Sequence, residues 1–192
     1  MKYVYHMVPK TMTGNKLISL NNLRLINEEL YKEYTKKYFN HPERSKLLER
    51  RIPKINCLWN DVIHFLPIHP HLVYSALQKL DINVKKDLAF YKIPSKSLMN
   101  NKNAVYLYRK ENYKGPAAEM NIEDIQIIDI DKFKELTGVP KDTTCYFEEE
   151  HKKGARFGLF AFIPHILSLG EVNISDAEII NWSDKFNWRT LN

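Results

Sequence analysis

The chain has 192 residues, 44% of them hydrophobic and 27% charged, with eleven Tyr, nine Phe, three Trp and a net charge of +6. This is enough apolar surface for one globular domain spanning 1–192, and it excludes a dominantly disordered chain. No apolar run approaches the roughly 20 residues of a membrane helix, so no membrane partner is expected.

In chain order, residues 2–8 (KYVYHMV) read as a strand, with Tyr3 and Tyr5 on one side and Val4 and His6 on the other. Pro9 ends it, Thr13-Gly14-Asn15 makes a turn, and residues 16–20 are a second short strand. Asn21 or Asn22 caps one helix whose apolar face is Leu23, Ile26, Leu30, Tyr34 and Tyr38. Residues 42–51 (PERSKLLERR) read as a short basic helix that Pro53 stops. Residues 54–68 are apolar on both faces, as in a strand buried on both sides or a deep hairpin. In residues 69–80, Pro70 suits a first helical turn, and Leu72, Val73, Ala76, Leu77 and Leu80 form the stripe.

From residue 87 the period changes to two. Strands are expected at 87–93, 104–110, 125–130, 143–149, 156–163, 171–174 and 178–182. A short helix over 131–138 interrupts them, with Gly138 as its left-handed last residue. The pattern is α+β: helices mainly in the N-terminal half and a largely antiparallel β region in the C-terminal half.

Cys57 and Cys145 lie outside any CxxC pair, which predicts reduced core cysteines and a cytoplasmic protein. The charge is unevenly spread. Residues 1–110 hold 20 Lys and Arg against 8 Asp and Glu, whereas 111–192 hold 9 against 15. A basic first half suits an anionic partner, nucleic acid or a nucleotide; two solvated faces of one domain are the plainer explanation. The six glycines are scattered, with no GxGxxG, Walker or GxSxG pattern.

Three of seven histidines fall in WNDVIHFLPIHPHL (59–72). His69 and His71 make an H-x-H pair, but Pro70 between them favours a turn into a helix, which splays the rings. The spacing of His64, His69 and His71 fits no strong metal pattern, so no metal site is assigned. The cluster reads best as a buried strand and helix entry forming one wall of a pocket.

Three patches resemble the ADP-ribosyltransferase superfamily, in particular its DarT-like DNA-modifying branch: VYHMVP (4–9) leading on to SLNNL (19–23), NDVIHFLPIHPHLVY (60–74), and PHILSLGEVNISDAEIINW (164–182). The resemblance implies a split-sheet fold and NAD as substrate. It matches His6 to the histidine that hydrogen-bonds a ribose hydroxyl of NAD, Tyr74 to a ring stacking on nicotinamide, and Glu171 to the catalytic carboxylate. Where such enzymes carry a basic residue near the second patch, this chain has His64, His69 and His71.

ADP-ribosyl transfer breaks the nicotinamide–ribose bond through an oxocarbenium-like transition state, which a preorganised carboxylate stabilises. Glu171 has that chemistry, His6 would orient NAD, and Arg109 or Lys110 at the end of an aromatic strand could meet the pyrophosphate, the arginine fork suiting such oxygens best. Each residue also has a plainer role: sheet strand for His6, strand-end acid for Glu171, surface charge for Arg109 and core packing for Tyr74. Two other functions fit the same sequence. One is a non-enzymatic module binding nucleic acid or protein through the basic half; the other is a nuclease or phosphodiesterase using His64, His69 or His71.

Overall fold

The structure, a computed structural model, describes residues 2–12, 14–40, 43–116, 118–154 and 156–184. The aromatic tail beyond 184, together with Thr13 in the expected turn and Pro42, lies outside the described residues.

The N-terminal half begins with strands β1 (Tyr3–Met7) and β2 (Lys16–Leu17), then helices α1 (Leu20–Ile26) and α2 (Glu28–Phe39). The single helix expected here is two, because Asn27 is extended and its side chain accepts the Leu30 N–H, capping α2. Glu28 and Glu29 open α2, and Lys36 and Lys37 close it, each matching the helix dipole. A 3-10 turn over Arg44–Leu48 replaces the expected basic helix. The apolar stretch that follows is divided into β3 (Arg51–Ile52), β4 (Cys57–Leu58), a 3-10 turn (Trp59–Asp61) and β5 (Ile63–Phe65). Lys54 and Asn56 sit at positive φ in the β3–β4 turn, which is why one long strand cannot form.

Helix α3 (Pro70–Lys79) starts as expected, with Pro70 in its first turn and His69 as N-cap. Strands β6 (Ala89–Pro94), β7 (Lys102–Tyr106) and β8 (Ile125–Ile127) follow. Three expectations then fail. Residues 131–138 form a turn, an irregular stretch and a bridge from Leu136 to Ile68 rather than a helix, and Gly138 is not at positive φ. Residues 143–149 belong to helix α4 (Lys141–Lys152), not a strand. Thr143 and Phe147, four apart, point into the core and the acidic residues point out, so helical burial overrides the β preference of Thr, Tyr and Phe. Residues 156–163 are irregular at first and then turn over 159–162, with Phe162 in a left-handed conformation that interrupts any strand. The chain ends in β9 (His165–Leu169), β10 (Val172–Asn173) and β11 (Glu178–Asn181).

The strands pair antiparallel in two main sheets, β1-β6-β11 and β5-β9-β7-β8, with two short ribbons, β2/β10 and β3/β4. Among the described residues one antiparallel bridge joins the main sheets: Tyr5 and Leu66 exchange both backbone bonds, at 3.0 and 2.8 Å. The fold is α+β.

Three apolar layers cover these sheets. Val4, Tyr91 and Ile93 of the first sheet meet Phe65, Val105 and Ile166 of the second. The other face of the first sheet packs Tyr5 and Phe90 on Val73 and Leu77 of α3, Phe147 of α4, and Trp182. The other face of the second packs Ala104, Tyr106 and Leu167 on Ile52, Ile55 and Cys57. Full burial of a residue such as Phe147 contributes about 1.5–3 kcal/mol relative to exposure. Both cysteines are free thiols, and burial raises the Cys57 pKa to about 11. No helix among the described residues is long and apolar enough to cross a membrane.

Candidate functional site

Beyond the Tyr5–Leu66 bridge, β1 and β5 part. In a continuing antiparallel ladder the His64 carbonyl would accept the Met7 N–H. It accepts instead from the ring of His6, Nδ1 to oxygen at 2.8 Å. A carbonyl only accepts, so Nδ1 carries the proton. Burial holds the His6 ring below its ordinary pKa, outweighing the opposing effect of the His64 carbonyl. Neutral His6 therefore has one lone pair left, on Nε2, and that atom has no hydrogen-bond partner among the described residues.

Two further imidazoles repeat this logic. His64 donates from Nε2 to the Trp59 carbonyl at 3.0 Å, leaving Nδ1 as a buried acceptor without a partner. His165 donates from Nδ1 to the Ile163 carbonyl at 2.7 Å. Burial lowers His64 to about 3, and His165 and His6 each add to that by making a charge on it less favourable. Burial lowers His165 to about 4. Lys37, itself lowered by burial and by Arg44, further disfavours charge on His6 and His64. The fork thus offers neutral lone pairs, which suit a ligand that brings hydroxyl or amide donors.

His69 and His71 serve the fold. His69 Nδ1 accepts the His71 N–H, capping α3, and burial lowers it to about 4. His71 donates to the Trp182 carbonyl at 2.9 Å and accepts from the Ser75 hydroxyl at 3.0 Å. Among the described residues no group of three or more His, Cys, Asp or Glu is placed to hold a metal ion.

Beside the fork lies a cavity of about 520 Å³, lined in part by Arg44, Arg156, Tyr108, Tyr113, Tyr146 and Phe162. His165 connects the two, its ring 6.0 Å from that of Tyr108. Tyr108 stacks on Tyr106 at 5.0 Å and meets Tyr113 and Phe162 edge-on or tilted at 5.2 Å. The cavity was not legible in the sequence, because its walls come from four separate segments.

Each of the four residues singled out from the sequence has its own neighbours. His6 is at the fork. The Glu171 carboxylate, between β9 and β10, meets Lys16 Nζ at 2.8 Å on the β2/β10 ribbon. Asn101 fixes the Glu171 backbone through its carbonyl at 3.1 Å. Arg109 pairs with the buried Asp124 at 3.3 Å. Tyr74 packs on Trp182, ring centres 5.3 Å apart. Among the described residues no hydrogen bond, ion pair or ring contact joins any two of the four.

Fold and site define an α+β protein with a divided antiparallel sheet and an arginine–aromatic cavity beside the division. No family model matches the chain, and no curated protein or solved structure matches it either.

Proposed function

We propose that this protein is an NAD-dependent ADP-ribosyltransferase acting on nucleic acid or protein, with the ribose next to nicotinamide held at His6. The observation that carries this reading is the fixed tautomer of His6. Its Nδ1–H is committed to the His64 carbonyl, so Nε2 is a neutral acceptor set where the two sheets part. A ribose hydroxyl is the donor such an atom takes, and this is the role that the resemblance of VYHMVP implies. The unpartnered Nδ1 of His64 offers a second acceptor close by.

The reaction breaks the bond between ribose C1′ and nicotinamide nitrogen, the electron pair leaving with neutral nicotinamide. The acceptor nucleophile bonds to C1′ and loses its proton. Glu171 is the carboxylate this reading assigns to the growing positive charge, with Lys16 releasing it as substrate enters. Tyr74 packs on Trp182 and Arg109 pairs with Asp124; this reading assigns the chemistry to His6 and Glu171.

Nicotinamide release from NAD, followed with a nucleic-acid or protein acceptor, tests it. The native protein should release nicotinamide, and Glu171→Gln should lose about 10²–10³ of that rate. No release from the native protein overturns the reading.

A second reading, binding of nucleic acid without catalysis, is favoured by Lys36, Arg44 and Lys46, which make no ion pair among the described residues. It predicts retention of nucleic acid that weakens steeply with salt and is unchanged by His6→Asn and Glu171→Gln. The histidine-dependent nuclease reading is left with His71, whose ring is bonded to the Trp182 carbonyl and the Ser75 hydroxyl, because burial holds His64 and His69 down at about 3 and 4, far from the range such acid–base work needs.

A further inference from the structure

The cavity itself has a chemistry separate from His6. Its lining combines two guanidinium groups with aromatic faces and edges, and none of its described lining residues is acidic. Neither Arg44 nor Arg156 has an ion-pair or hydrogen-bond partner among the described residues, and both are exposed. Two cations excluded from any local pairing disfavour a cationic guest and favour an anion, which an arginine fork grips with two parallel bonds.

The aromatic side is a connected set of ring contacts. Tyr146 meets Phe157 and Phe162 edge-on, at 6.0 and 5.2 Å, and Tyr113 meets Phe162 at 5.8 Å. Tyr108 and Phe162 have φ of 52° and 60°, a left-handed conformation that bulky residues rarely take. Such backbone persists only where the surroundings over-determine it, and it gathers at ligand sites. Both of these residues line the cavity. Its volume lies within the range of about 300–1,000 Å³ typical of small-molecule pockets.

The geometry points to a nucleotide subsite: a planar base against the Tyr108, Tyr113, Tyr146 and Phe162 rings, and its phosphate between Arg44 and Arg156. The phosphate-bearing base can be a free mononucleotide or one nucleotide unit of a larger ligand such as NAD; the subsite does not depend on the transferase reading.

Calorimetric titration of the full chain with 5′-AMP, adenosine and ribose 5-phosphate tests it. AMP should bind, with adenosine and ribose 5-phosphate each about tenfold weaker or worse, because each lacks one half of the recognition. Arg44→Gln and Arg156→Gln, both surface changes, should weaken AMP about tenfold while leaving adenosine unchanged. His6→Asn should leave AMP affinity as it is, even if nicotinamide release is lost. Competition by NAD identifies the base as a unit of the dinucleotide; its absence identifies a free mononucleotide. No AMP binding, arginine variants that bind like the native protein, or AMP affinity lost in His6→Asn overturns the inference.

Discussion

The His6 ring occupies the hydrogen-bonding position on the His64 carbonyl that Met7 would fill in an uninterrupted sheet. That one substitution of side chain for backbone ends the pairing of β1 with β5 and opens a fork between two sheets. It also fixes which nitrogen of His6 faces outward. Structure and proposed chemistry therefore depend on the same bond.

The fold side of this bond is measurable by itself. His6→Ala leaves the part-buried His64 carbonyl without its donor and should cost about 1–3 kcal/mol in urea denaturation. His6→Asn places an amide N–H near the Nδ1 position and should recover most of that loss. Equal stability of the alanine variant and the native chain would show that the bond carries no weight.

Trp182 ties β11 to both α3 and the loop before β6. Its side chain is fully buried, Nε1 donates to the Lys85 carbonyl at 3.0 Å, and its own carbonyl accepts from His71. Trp182→Ala should cost about 3–5 kcal/mol, with Trp182→Phe costing less because only the indole donor and part of the volume are lost. Denaturant midpoints for the two variants check the order; a near-neutral alanine variant would contradict the packing.

Stability should fall as pH drops below about 6.5. Above the ordinary imidazole value both folded and unfolded chains hold these rings neutral. Below it the unfolded chain takes up protons that folded His64, His69 and His165 refuse until about 3 to 4. Stability then declines with falling pH, since the unfolded state binds more protons. Glu135, raised chiefly by burial, acts in the opposite direction lower in the range. Denaturation between pH 7.5 and 5.5 should show the decline, and a neutral replacement such as His165→Gln should flatten it. A stability that rises toward pH 5.5 would contradict the neutral histidines.

Gly170 governs how Glu171 is presented. Its φ is +139°, and a Cβ there would overlap the Asn101 side-chain amide, which bonds both the Ser168 hydroxyl and the Glu171 carbonyl. Gly170→Ala should cost about 1–3 kcal/mol and, under the transferase reading, reduce nicotinamide release more than Lys16→Gln does. Unchanged thermal stability in the alanine variant would show that the turn tolerates a side chain.

Elements with one dominant signal were legible in the sequence. Strand β1 alternates, α3 begins at Pro70 with its apolar stripe behind it, and β6, β7 and β11 carry β-branched and aromatic runs. Helix α4 was not, because Thr143, Thr144, Tyr146 and Phe147 individually prefer strands, and only the packing of Thr143 and Phe147 against the core decides otherwise. The site was legible only in part. The strand that carries His6 follows from its alternating pattern, whereas the hydrogen bond from its ring to the His64 carbonyl needs the fold. The cavity needs Arg44, Tyr108, Tyr146 and Phe162 brought together from across the chain, and two of these depend on a left-handed backbone that no local pattern announces.

The most direct test of the central claim is calorimetric titration of NAD into the native protein and His6→Asn, which keeps the donor to His64 and removes the outward acceptor. The account predicts NAD binding by the native chain and affinity at least about tenfold lower in the variant, with both folded to the same extent. Absence of binding to the native chain, or equal affinity in the two, would contradict it.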